Sequence, residues 1–245
     1  MTLEVTLIIG IIILFSSIIK GITGFGTALF AMPIITLFFL TPLEARPLVV
    51  TINLTLNVFI LLKEKQLNKA AITPIKTLFL SGFIAAILSG FILSSMNDFL
   101  FNLLLGSLLV FTAINKLFNL NFVIKAYERF FLLIGSLGGI LNTLIGAGGV
   151  PVLIYLSNTD LKKDQFRISI LLYFFAMNIG SLLAFLINDT YSLTIFYTAL
   201  SIIPFALVGG LIGLKTIPFI NNQLFSKIVS ILLLLMGINS LLSIL

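Results

Sequence analysis

Lys20 directly precedes a glycine-rich stretch, Gly21-Ile22-Thr23-Gly24-Phe25-Gly26, set in otherwise apolar sequence. A second break, Gly146-Ala147-Gly148-Gly149, follows in the other half of the chain, where Asn142 takes the place that Lys20 takes before the first. Beyond each break stands an arginine and, 11 residues on, an asparagine: Arg46 and Asn57, then Arg167 and Asn178, each displaced by 121. Glycine admits left-handed dihedrals and lets backbone approach a ligand closely. A helix that restarts after such a break presents free N–H groups and about half a positive charge. Two restarts, near Thr27 and near Val150, aimed at one point make an anion site without a dedicated cation. Thr23, Thr27 and Asn142 add neutral donors, and Lys20 adds a charge.

Plainer readings stand beside these. Lys20 either faces a substrate inside the membrane or snorkels from a helix end to the interface. Arg46 and Arg167, at helix starts, read first as interfacial anchors beside Glu44 and Asp164, and otherwise as charges that draw anions in. Asn57 and Asn178 either face a cavity or bond helix to helix. Phe25, at the first turn, is placed to gate a route, with Ala147 opposite it in the repeat. The glycines of 82–90, 106, 180 and 209–213 read as close-packing positions.

The elements that carry these residues belong in a bilayer. Of 245 residues, 60% are hydrophobic and 9% charged, too few charges to cover a soluble domain of this size. The apolar runs are too continuous for the alternation of an outer-membrane barrel. Cysteine and histidine are absent, which removes disulfides, imidazole relays and any Cys/His metal cluster. No cofactor or metal is called for. The net charge of +6 lies in short loops and reports orientation rather than nucleic-acid binding. The first apolar run follows Glu4 with no basic leader or cleavage pattern, so it is expected to be a retained helix.

Nine apolar segments are expected as helices: 5–19, 27–40, 47–62, 77–95, 99–115, 130–145, 168–187, 191–212 and 228–245, with a shorter piece at 150–156. Four loops hold most of the basic residues, among them Lys63, Lys65, Lys69 and Lys76, then Lys116, Lys125 and Arg129, then Lys162, Lys163 and Arg167, then Lys215 and Lys227. Positive loops face the cytoplasm. The segment 130–156 lies between two such loops, so it must be a hairpin turning at the glycines, and by the repeat 5–40 is another. Three single crossings follow each hairpin. Three is odd, so the second half is inverted. The expected fold is all-α: a polytopic membrane protein of two inverted repeats, 1–124 and 125–245, each a glycine-broken hairpin plus three transmembrane helices. Both termini fall outside a cell (inner) membrane. Ser81, Ala86 and Gly90 recur as Ser201, Ala206 and Gly210, and Ala113-Ile114-Asn115 resembles Gly237-Ile238-Asn239.

Two glycine-rich breaks, each close to a proline (Met32-Pro33 and Val150-Pro151), in a small chain of two similar halves resemble the TauE/SafE family over nearly the whole length. The resemblance implies a permease for sulfite, an organosulfonate or a related anion. It departs where Thr27 and Ala28 follow Gly26, and Val150 follows Gly149, in places where the family tends to continue with glycine. The expected substrate-binding set is Lys20, Gly21, Thr23, Gly24, Phe25, Gly26, Thr27, Asn57, Asn142, Gly146, Gly148, Gly149 and Asn178. The expected partners are a small anion and the lipid bilayer, with a second copy of the chain left open. All eight carboxylates fall at segment ends or in loops, which argues against coupling through a buried titrating acid. No catalytic triad or carboxylate pair is visible, so an enzyme is not expected. The competing reading is a non-transporting accessory or assembly subunit, which would leave the paired breaks unexplained.

Overall fold

The computed structural model describes residues 2–63, 76–118, 130–156, 161, 163–216 and 222–244. The described residues are almost wholly helical. In chain order the helices are α1 (Leu3–Thr23), α2 (Thr27–Phe38), α3 (Pro42–Lys63), α4 (Lys76–Leu88), α5 (Gly90–Leu93), α6 (Asp98–Leu117), α7 (Phe131–Ile145), α8 (Gly149–Leu156), α9 (Lys163–Ile187), α10 (Leu193–Thr216) and α11 (Asn222–Leu242). Each apolar segment read from the sequence coincides with helix, its ends shifted by a few residues, and the short piece 150–156 lies in α8. Among the described residues, six spans are long and apolar enough to cross a membrane, with α4 and α5 together forming one of them. The basic residues Lys65, Lys69, Lys125, Arg129 and Lys162, and the boundary between 124 and 125, lie outside the described residues.

Local chemistry sets the helix ends. Asn97 caps α6 by accepting from the Leu100 N–H at 2.9 Å. At the start of α3, the Glu44 carboxylate accepts from both the Thr41 N–H at 3.1 Å and the Thr41 hydroxyl at 2.8 Å, which fixes the entry of the chain. Pro151 falls in the first turn of α8, where its missing donor costs nothing. Pro33 lies inside α2, and the Thr36 hydroxyl donates to the Met32 carbonyl beside it at 2.8 Å.

The bundle exposes large apolar side chains and buries several polar ones within an otherwise apolar core. Phe15, Phe91, Leu132, Leu193 and Leu235 point outward and are exposed, while Ser16, Ser17, Lys20, Asn53, Asn142, Thr143 and Asn178 are buried. Hydrocarbon tolerates this arrangement.

Packing partners are exchanged between the halves. α1, which leads into the first glycine break, lies along α10, and α7, which leads into the second, lies along α4. α3 meets α10 as α9 meets α4, while the corresponding pairs α3–α9 and α6–α11 meet each other. Small residues allow the closest approaches. A Cβ on Gly21 would lie 2.6 Å from the Gly210 carbonyl oxygen, and one on Gly139 would strike the Gly82 carbonyl oxygen.

Aromatic residues close the region behind the second hairpin. Phe131 and Tyr155 meet edge to face at 5.3 Å. The buried Tyr173 hydroxyl donates to the Gly135 carbonyl at 2.7 Å, tying α9 to α7. Tyr173→Phe is expected to lower stability by about 1 kcal/mol, the usual worth of a hydrogen bond between membrane helices. Thermal unfolding in detergent measures this, and an unchanged melting temperature would mean the bond contributes nothing.

Candidate functional site

The same device ends the first helix of each hairpin. Gly24 takes a left-handed conformation (φ 84°), and its N–H donates to the Lys20 carbonyl at 2.7 Å. Gly146 does likewise (φ 70°), donating to the Asn142 carbonyl at 2.8 Å. Such a cap suits glycine because a Cβ is strained there. It also sets Lys20 and Asn142 at equivalent heights, four residues before the turn. Thr23 shapes the first turn further: its hydroxyl bonds the Ile19 carbonyl at 2.9 Å and receives the Phe25 N–H at 3.2 Å. α2 then starts after Gly26, and α8 starts at Gly149.

Both breaks border one cavity of about 30 Å³. Lys20, Phe25, Gly26 and Thr27 line it from the first hairpin, and Asn142, Gly146, Gly148 and Gly149 from the second. α3 contributes Asn53, and α9 contributes Phe174, Met177 and Asn178. The space holds a water molecule or two. A larger ligand therefore requires the walls to part.

Lys20 is 2% exposed, so it does not snorkel to an interface. Its ammonium donates to the Asn53 Oδ1 at 3.0 Å and lies 5.5 Å from the centre of the Phe174 ring. On the other side, the Asn142 Nδ2 donates to the Asn178 Oδ1 at 3.0 Å and to the Ser181 hydroxyl at 2.8 Å. The Thr143 hydroxyl lies 2.8 Å from that same serine. The Thr27 hydroxyl is 1% exposed and has no hydrogen-bond partner among the described residues. The lining thus holds one ammonium, two helix starts, amide groups and a free hydroxyl, and no carboxylate. That set of donors favours negative charge.

Four of the expected site residues lie off the lining. Gly21 packs against the α10 backbone, Gly24 closes the cap, and Thr23 stiffens the turn. Asn57 is 0% exposed, and neither of its amide atoms has a partner among the described residues. Asn53, Phe174 and Met177 were not expected. A signal for the first two existed: Asn53 lies four residues before Asn57, on the same helix face, and Phe174 stands 121 residues after Asn53, the spacing of the repeat.

The arginines differ from each other. Arg46 is 2% exposed, which corrects its reading as an interfacial anchor beside Glu44. Its guanidinium lies 5.2 Å from the Phe101 ring, and its Nε and Nη1 have no partner among the described residues. Glu44 is instead engaged with Thr41. Arg167 reaches the first break and donates to the Gly21 carbonyl at 3.5 Å, where a cation suits the end of a helix. The Lys116 ammonium stands 4.7 Å over the Phe25 ring. Arg167 and Lys116 therefore both stand beside the first break.

Helices with apolar outer faces, packed around a polar interior cavity, define a multi-pass membrane protein. The chain belongs to the sulfite exporter TauE/SafE family, whose model matches residues 9–240. Membership makes it a membrane transporter of the sulfite and anion exporter kind, and not an enzyme. No curated protein and no solved structure matches the chain.

Proposed function

We propose that the chain is a secondary permease for a small anion, sulfite or an organosulfonate, in the cell (inner) membrane. The anion binds near the bilayer midplane between residues 1–124 and 125–245, which act as inverted repeats with both termini outside. One observation carries this reading: both glycine breaks, both helix starts and the buried Lys20 border a single cavity. Asn53 and Phe174 fall midway along α3 and α9, which supports a central depth for the site. The exchange of packing partners between α1–α10 and α7–α4 supports two related halves.

Among the carboxylates whose side chains are described, Glu4, Glu44, Asp98 and Asp189 are all exposed, so none of these four is buried in the bundle to couple transport to protons. The membrane potential is the simplest drive. A negative interior pushes anions outward by about 2.3 kcal/mol per charge per 100 mV. Purified protein in liposomes should therefore release sulfite faster when the compartment holding it is made negative. Flux that ignores the potential and requires a pH step rejects this drive. The absence of any sulfite or sulfonate flux moves the chain to the accessory-subunit reading.

A further inference from the structure

We infer that Asn57 is a second docking point for the Lys20 ammonium, used when the first hairpin takes up the arrangement now seen in the second. The inference rests on the permease reading above. Its starting point is a mismatch between the halves. Lys20 and Asn142 occupy equivalent places, each four residues before a left-handed glycine. Asn142 bonds to Asn178. The residue equivalent to Asn178 is Asn57, so by the repeat Lys20 belongs on Asn57. It sits on Asn53 instead, one helical turn away.

The mismatch leaves Asn57 in an expensive position. It is fully buried in the bundle, and neither its amide nitrogen nor its amide oxygen has a partner among the described residues. Unpaired buried polar groups destabilise a fold, and more so where no water competes. A leucine of similar size would be cheaper there. A residue that lowers stability in one state is accounted for if it finds its partner in another.

The geometry allows the exchange. Asn53 and Asn57 lie on one face of α3, one turn apart. The lysine stem is flexible enough to swing its ammonium over that distance. Asn53 lines the cavity and Asn57 does not. Moving from the first to the second therefore withdraws the one fixed positive charge from the cavity wall and weakens its hold on a bound anion. Asn57 is thus a positioning residue: it need never touch the anion, and it stabilises the state that releases it.

Asn57→Leu tests this with a variant that folds at least as well as the native chain, because it removes two unsatisfied groups. Three readouts are taken on the full-length protein: melting temperature in detergent, sulfite affinity by titration, and sulfite flux in liposomes. We expect a raised melting temperature, an affinity that is not weakened, and flux reduced about tenfold or more, the pattern of a lost step rather than a lost contact. Unchanged flux with raised stability overturns the inference, since Asn57 is then only a packing defect. Affinity and flux falling together also overturn it, since Asn57 then contacts the anion. If the native protein itself neither binds nor moves sulfite or a sulfonate, the permease reading fails, and the Asn57 inference goes with it.

Discussion

Lys20→Met is expected to lower anion flux about a hundredfold, within the loss that follows removal of one member of a buried, hydrogen-bonded charge pair. Among the described residues, Lys20 is the only charged side chain on the cavity wall. Without it the lining keeps two helix starts and neutral donors, each worth about 0.3–1 kcal/mol to an anion in ordinary settings. Methionine fills most of the space that the lysine stem occupies and suits irregular gaps, so the fold should persist. The Asn53 Oδ1 loses its donor, a cost of about 1–3 kcal/mol, offset by no longer burying an ammonium. Lys20→Arg keeps the charge and should retain part of the flux. Liposome flux at matched protein density measures both variants. Flux through Lys20→Met within a few-fold of native would remove Lys20 from the transport path.

Gly148→Ala should be the most damaging single methyl group in the second hairpin. The added carbon would strike the Gly138 carbonyl oxygen and lie 2.7 Å from both the Cβ and the backbone nitrogen of Asn142. Backbone atoms of a packed helix cannot step aside one at a time, so the turn must lift away from α7. That lift pulls Asn142 off Asn178 and Ser181 and deforms the cavity. A loss of about 3 kcal/mol is expected, at the upper end for overpacking. Gly24→Ala is the control. Its nearest neighbour is the Arg167 Cγ at an ordinary 3.7 Å, so only its left-handed backbone (φ 84°) is strained. That strain costs about 1–2 kcal/mol. Melting temperatures in detergent should therefore rank native above Gly24→Ala, and Gly24→Ala above Gly148→Ala. The reverse order would mean that the second turn is looser than its contacts imply.

Sequence made the helices and the two breaks legible because both depend on local chemistry. Long apolar runs without charge have few alternatives to helix in a bilayer, and Gly24 and Gly146 fall where the chain needs a left-handed residue. The facing of each helix was harder to read. In a soluble protein the apolar stripe marks the inward side, but lipid and protein interior are both apolar, so that stripe says little here. Asn57 therefore reads from sequence as a cavity residue, while nothing in the local hydropathy pattern marks Asn53, a turn away. Arg46 failed for a related reason. A cation at a helix start normally anchors at the interface, and nothing near it in sequence reports that the Phe101 ring of α6 lies over it.

The seams where Gly21 meets Gly210 and Gly213, and where Gly139 meets Gly82, bear on how such a molecule moves. Where main chains touch directly, no layer of side chains remains to slide. α1 with α10, and α7 with α4, behave as welded struts, and each strut is built from both halves of the chain. A clean parting of one half from the other would have to break both welds. The short arms α2 and α8, hung from the glycine elbows, belong to neither weld. Opening then resembles two flaps lifting from a fixed frame rather than a clam shell turning about its middle.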